Sequence, residues 1–270
     1  MLNPINKTTM QEMLNPLTLQ FIAPSGYSYT IREENGEDEE ILSNQADMNG
    51  GMNVAKFLAA IIIATDFTES GKVTLEDVLN IPTLDRNCIL FKSRIFSLGP
   101  CVSFYYDWTQ GRGEPTMYEQ DLTELIYTDY ATEPSKEEMI AKPGALPFYP
   151  ERDIARAIKF KDYEFNLTSG KKIKFDFMNS KSEMEFLNSE KQTRNTQLLC
   201  RNLCLEVNGK WEKVQRFHLF SVKDMAEIHQ ITQQVDPVWN GLAEVENPIT
   251  HEKAKYPIVM APRFFFLTEA

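Results

Sequence analysis

Residues 21–44 read "FIAPSGYSYTIREENGEDEEILSN", and residues 165–188 read "FNLTSGKKIKFDFMNSKSEMEFLN". Laid one over the other, they agree at the opening Phe, at a Ser-Gly pair (Ser25-Gly26 and Ser169-Gly170), at a Glu and at the closing Asn. In both, an alternating run enters a turn and a second alternating run leaves it. Tyr27, Tyr29 and Ile31 share one face, as do Ile173, Phe175 and Phe177, because side chains alternate across a strand. Gly in the turn supplies the positive φ that a tight hairpin needs. The spacing predicts two β-hairpins, one in each half of the chain.

The order of elements after each hairpin is also shared. A short acidic helix is expected over about 36–44, where Asp38, Glu39 and Glu40 suit the positive end of the helix dipole. Its counterpart is expected over about 181–190. Longer apolar helices follow. "NVAKFLAAIIIAT" sets Val54, Phe57, Leu58, Ile61 and Ile62 on one face, and "TQLLCRNLCLEV" carries Leu198, Leu199, Leu203 and Leu205. Thr74 with Asp77 predicts a capping box for "LEDVLN". Asp85 is placed to cap "LDRNCILFKSRIFSL", which Gly99-Pro100 ends. In the second half Ser221 with Asp224 caps "VKDMAEIHQITQQV", and Asp236-Pro237 stops it.

Both halves close in extended, aromatic-rich sequence: "CVSFYYDW" with a weak return in the first, and "LAEVENP" returning through "YPIVMAPRFFF" in the second. Each is expected to be a β-ribbon. Pro134, Pro143, Gly144, Pro147 and Pro150 make the stretch between the halves unfit for regular structure. The expected organisation is α+β: a hairpin–helix–ribbon module over 1–130, a Pro-rich linker over 131–150, and a similar module over 151–270, related by internal duplication.

A net charge of -11 argues against nucleic-acid binding, which needs a basic face to displace counterions. "KKIK" at 171–174 reads as a solvated strand edge. The most apolar run, "FLAAIIIA", falls short of the roughly 20 residues that a bilayer requires, so no membrane span is expected. The start "MLNPINKTTMQEM" lacks a basic and then apolar leader, so the chain is expected to be made and kept in a cytoplasm, with its cysteines as thiols.

Candidate chemistry is sparse. His218, His229 and His251 do not stand at ligand spacing with Cys or carboxylates. "GRG" at 111–113 lacks the Lys and hydroxyl residue of a phosphate loop, and no Ser sits in a nucleophile elbow. Cys200 and Cys204, four apart, read as buried small apolar groups rather than half of a zinc site. Cys88 and Cys101 lie in the other half. "ENGEDEE" lacks the spacing of a calcium loop and reads as a solvated helix start. The expectation is a chain with no catalytic residue, no metal and no cofactor.

The order hairpin, acidic helix, apolar helix, Asp-Arg-opened helix and aromatic strand resembles the baseplate hub family of T-even-type contractile-tailed bacteriophages. The resemblance is carried by Ser25, Gly26, Glu39, Glu40, Leu42, Asp85, Arg86, Arg94, Ser97, Leu98 and Gly99, and covers about residues 17–108 best. It implies a non-catalytic virion protein of the tail baseplate, in the hub region, whose partners are other baseplate or tail proteins. An assembly chaperone absent from the finished particle is the competing role, and an enzyme with an unrecognised site is a third. Many members of the family carry a Cys-x-x-Cys knuckle after the first strand. This chain has "YYDWTQGRGEP" there and "ENPITHEKAKYP" at its last ribbon, so packing is expected in place of metal. Trp108, Phe264, Phe265 and Phe266 are the candidates for that packing and for partner contacts. Arg94, beside the apolar stripe of its helix, is expected to be partly buried against a carboxylate or loop carbonyls.

Overall fold

The computed structural model describes residues 16–23, 25–49, 51–109, 114–124, 164–236, 242–258, 260 and 262–265. Phe266, Pro24, the N-terminal stretch before residue 16, the "GRG" loop and the Pro-rich linker lie outside the described residues.

Strands β1 (Thr18–Ile22) and β2 (Ser28–Arg32) form the first hairpin, with Phe21 opposite Tyr29. Helices α1 (Gly36–Ser43), α2 (Gln45–Asn49) and α3 (Asn53–Ile61) follow, and β3 (Ile62–Thr65) returns antiparallel along β2. Next come α4 (Leu75–Asn80), α5 (Thr83–Leu98) and a ribbon of β4 (Cys101–Tyr106) and β5 (Thr116–Asp121). In the second half β6 (Phe165–Asn166) and β7 (Lys172–Lys174) make the hairpin. Then come α6 (Ser180–Leu187), α7 (Arg194–Cys200) and β8 (Cys204–Val207), which pairs with β7, and β9 (Lys210–Lys213) adds an outer strand. Helix α8 (Val222–Val235), the ribbon β10 (Leu242–Glu246) with β11 (Lys253–Pro257), and the short α9 (Pro262–Phe265) complete the described residues. The fold is α+β, with small antiparallel sheets.

Local chemistry explains most boundaries. Asn35 and Asn179 hold nearly the same extended backbone, with φ of -139° and -137°, and each makes a reciprocal capping box with the third helical residue, Asp38 or Ser182. These two Asn also coincide when the two halves are overlaid. Thr74–Asp77 and Ser221–Asp224 form the expected boxes. Gly99, at φ 83°, ends α5.

Three expectations about these elements are corrected, and one strand is new. Ile62 does not continue the apolar face of α3. The helix stops at Ile61, and the β-branched run of Ile62, Ile63 and Thr65 suits extended backbone, with Ile62, Ala64 and Thr65 paired along the open edge of β2. Leu203 and Leu205 likewise leave α7, because Asn202 sits at φ 53° and breaks the helix before β8. Strand β9 was not foreseen. Its signal is Asn208-Gly209, at φ 52° and 76°, the pair a two-residue hairpin turn prefers. Finally, residues 262–265 are helical rather than part of a strand, with Pro262 opening the turn.

Among the described residues, two apolar clusters form. The first gathers Tyr29, Ile31, Phe57, Leu58, Ile61, Ile89 and Phe91. It also takes Ala243, Ile258, Phe264 and Phe265 from the end of the chain. The second holds Phe165, Ile173, Leu198, Leu203, Leu205, Phe220 and Ile228. The last segment of the sequence therefore packs on the first half. The two ribbons meet there: Phe104 stacks on Tyr256 with ring centres 4.4 Å apart, and the Tyr118 hydroxyl donates to the Glu246 carbonyl at 2.8 Å.

Candidate functional site

The Ser-Gly turns are built alike. Gly26 N–H donates to the Ala23 carbonyl and Gly170 N–H to that of Leu167, both at 2.8 Å, with the glycines at φ 86° and 84°. Each turn is tied to the third residue of a later helix. Asp85 of α5 accepts the Ser25 amide at 2.9 Å, the Ser25 hydroxyl, and the Tyr29 hydroxyl at 3.3 Å. It does not cap its own helix, as the sequence suggested. The helix already starts at Thr83, and the carboxylate is turned toward the hairpin and is 0% exposed. Burial raises Asp85 to about 7, against the pull of the Ser25 and Tyr29 hydrogen bonds. In the second half Asp224 of α8 accepts Lys171 Nζ at 2.6 Å and the Ser221 amide at 2.8 Å. The Lys171 ammonium first, then the Ser169 hydroxyl, hold Asp224 well below the usual carboxylate range. A helix carboxylate thus holds each turn: through the Ser25 amide and hydroxyl and the Tyr29 hydroxyl in the first half, and through the Lys171 ammonium in the second.

Arg94 is buried and spans three carbonyls. Its Nε donates to Phe264 O at 2.7 Å, Nη1 to Gly99 O at 2.8 Å, and Nη2 to Cys101 O at 3.3 Å. It therefore pins the end of α5, the start of β4 and the terminal α9 together, as a fork of fixed donors can. Beside it, Glu34 accepts the Ser93 hydroxyl at 2.6 Å and is raised to about 7, chiefly by burial. Arg86 points the other way. Its Nη1 donates to Ser180 Oγ at 2.9 Å and to Glu183 Oε2 at 2.6 Å, both in α6 of the second half. The Thr83 amide donates to the Met178 carbonyl at 2.7 Å, and Lys181 pairs with Glu76 across the same junction.

The expected partner contacts separate. Trp108 is half-buried and donates from Nε1 to the Tyr118 hydroxyl at 2.8 Å, with its ring 4.6 Å from that of Tyr106. Phe264 and Phe265 are not exposed. They are buried against Phe91 and Phe57, at 5.2 and 5.3 Å between ring centres, because the terminal helix closes the first apolar cluster. The exposed aromatic of the first ribbon is instead Tyr105. The alternation of "CVSFYYDW" sets it on the face opposite Phe104 and Tyr106, and that signal could have singled it out.

A cleft of about 570 Å³ lies at the junction of the halves, between Tyr27, Phe67 and Pro82 on one side and Asp176, Phe177 and Glu185 on the other. Cys200 borders it. Cys88 and Cys200 are buried, Cys101 is exposed and Cys204 is half-buried. Burial raises the Cys200 and Cys204 thiols above their ordinary range. Among the described residues no group of three or more His, Cys, Asp or Glu is arranged to hold a metal ion, and no helix is long and apolar enough to cross a membrane. His229 faces Asn195 at 3.2 Å and His251 faces Glu246 at 2.8 Å. Compared with protein-family models, curated proteins and solved structures, the chain matches none.

Proposed function

We propose that this chain is a non-catalytic structural component of a bacteriophage contractile-tail baseplate, in its hub region, where it docks neighbouring tail proteins. What supports the reading is the use made of the residues that carry the family resemblance. Ser25, Gly26, Asp85, Arg94 and Gly99 form one bonded interior framework that ties the first hairpin, α5, the ribbon and the chain terminus to one another. Their polar atoms are directed at other parts of the same chain. A scaffold held between neighbours needs this rigidity, and a framework of fully engaged polar groups supplies it.

The reading includes an internal duplication. The shared order of hairpin, Asn-capped helix, second helix and returning strand, with a helix Asp fixed on each Ser-Gly turn, gives two similar units for docking on one chain. Sheet edges of such units can accept a partner strand.

Quantitative mass spectrometry of purified tailed particles tests the function. Peptides of this chain at a stoichiometry matching the tail symmetry are the expected result. Presence in tail-assembly intermediates but not in finished particles would make it an assembly chaperone, and absence from both would overturn the phage reading.

A further inference from the structure

The two ribbons pack face to face, so each has one outer face, and the two outer faces differ in a way that bears on binding. On the outer face of β10–β11 the strand register sets Glu244 opposite Lys255 and Glu246 opposite Lys253. Lys253 also reaches Glu244 at 2.8 Å. Opposite charges neutralise one another there, and the face is satisfied by its own side chains and by water.

The outer face of β4–β5 has no such pairing of opposite charges among the described residues, although the Asp121 carboxylate accepts the Thr123 amide and hydroxyl at 2.8 and 2.6 Å. Its three cross-strand pairs are Cys101 with Asp121, Ser103 with Glu119, and Tyr105 with Met117. Tyr105 is 59% and Met117 57% exposed. Among the large apolar side chains that are exposed, these two are set directly opposite one another by a strand register. The pair makes one contiguous apolar patch, bordered by Glu119 and Asp121. Asp107, which accepts the Thr109 amide and hydroxyl, and Glu114 stand at the loop end of the ribbon, and among the described residues of 101–124 there is no Lys or Arg. Arg112 lies outside the described residues. Tyr and Met are enriched at the centres of protein interfaces, and an acidic rim selects a partner of opposite charge.

We infer that the outer face of the β4–β5 ribbon is a docking surface for a partner protein that presents an apolar contact flanked by Lys or Arg. The partner is a different protein. A second copy would bring Glu119 and Asp121 against their own like charges, on a chain whose net charge is -11. This inference rests on the docking role proposed above, and it names the surface and the chemistry of what binds there.

The test is site-specific photo-crosslinking of the full chain in cells that make it natively, with p-benzoylphenylalanine at position 105 or, as the contrast, at position 255 on the self-neutralised face. The expected result is an adduct from position 105, and not from 255, with one other protein, joined within a segment carrying several Lys or Arg residues. Glu119→Lys should lower the yield of that adduct roughly tenfold with the melting temperature unchanged. An adduct with a second copy, with residues 125–163 of the same chain, or with an acidic segment overturns the proposal. So do adducts from 255 alone, no adduct from either position, or a yield that Glu119→Lys leaves unaltered. Particle composition is read separately. The expected adduct with a chain absent from particles would overturn only the virion role, and a stoichiometric virion chain without the adduct would overturn only this surface.

Discussion

Two buried acids make the stability of this chain depend on pH in an unusual direction. Asp85 is held at about 7 in the fold, against an ordinary value of 3.8, and Glu34 at about 7 against 4.5. Between those limits the folded chain binds more protons than the unfolded chain, so stability falls as pH rises from about 4 to about 7 and is level above that. Asp224 acts oppositely: its contribution is present above the ordinary carboxylate range and is lost as pH falls below it. Asp85→Asn keeps an acceptor while removing the charge. Its urea midpoint should therefore drop less between pH 5 and pH 8 than that of the parent chain. Equal drops would show that Asp85 does not titrate in this window. Arg94 is the second decisive residue. Arg94→Ala strands the buried Phe264 carbonyl and frees the partly buried Gly99 and Cys101 carbonyls, and loss of a buried partner costs about 1–3 kcal/mol. Arg94→Lys should recover only part, since an ammonium cannot reproduce the planar fork. Unchanged melting accompanied by lost docking would make Arg94 an interface residue instead.

At the scale of elements, the Ser-Gly turn is the unit that can be tested alone. Gly170 sits at φ 84°, and a Cβ added there meets no atom within 4 Å. Gly170→Ala should cost about 1–2 kcal/mol from backbone strain alone. Gly36→Ala, at the first residue of α1 with equally open space and no positive φ, should be neutral or stabilising by up to about 1 kcal/mol. Chemical denaturation of both variants checks the pair, and equal effects would remove the strain argument. These hairpins were legible in the sequence because alternation and a glycine turn are local signals, and the caps at Thr74 and Ser221 were legible for the same reason. Strand β3 was not legible. "IIIAT" continues the apolar period of α3 without a Gly or Pro to mark the change, and only the open edge of β2 decides in favour of a strand. The anchoring role of Asp85 was hidden because its partner Ser25 is far away in sequence. Its position at a helix start invited a local explanation. The aromatic run at the end of the chain misled in the other direction: consecutive Phe residues suit a strand or an exposed patch, and nothing nearby shows that the first half lacks a lid.

The whole molecule is organised by where that lid goes. Polar contacts at the junction of the halves, such as Arg86 with Glu183 and Lys181 with Glu76, are partly solvent-exposed. Pairs of that kind contribute about 0–1 kcal/mol each. The apolar clusters of the two halves are separate, and the terminal residues belong to the first. Phe265 is 1% exposed, with its ring 5.3 Å from that of Phe57 and 5.1 Å from that of Phe264. Phe265→Ala should cost about 3–5 kcal/mol, through lost burial and the cavity left behind. The loss should fall on the half that is distant in sequence. Hydrogen exchange should quicken at the amides of β1, β2 and β3, while those of β6, β7 and β8 keep their protection. Faster exchange in the second sheet, with the first unchanged, would mean that the terminal helix closes the half it follows in sequence. Equal acceleration in both would mean that the two cores unfold as one, with the junction contacts coupling them more strongly than exposed ion pairs can.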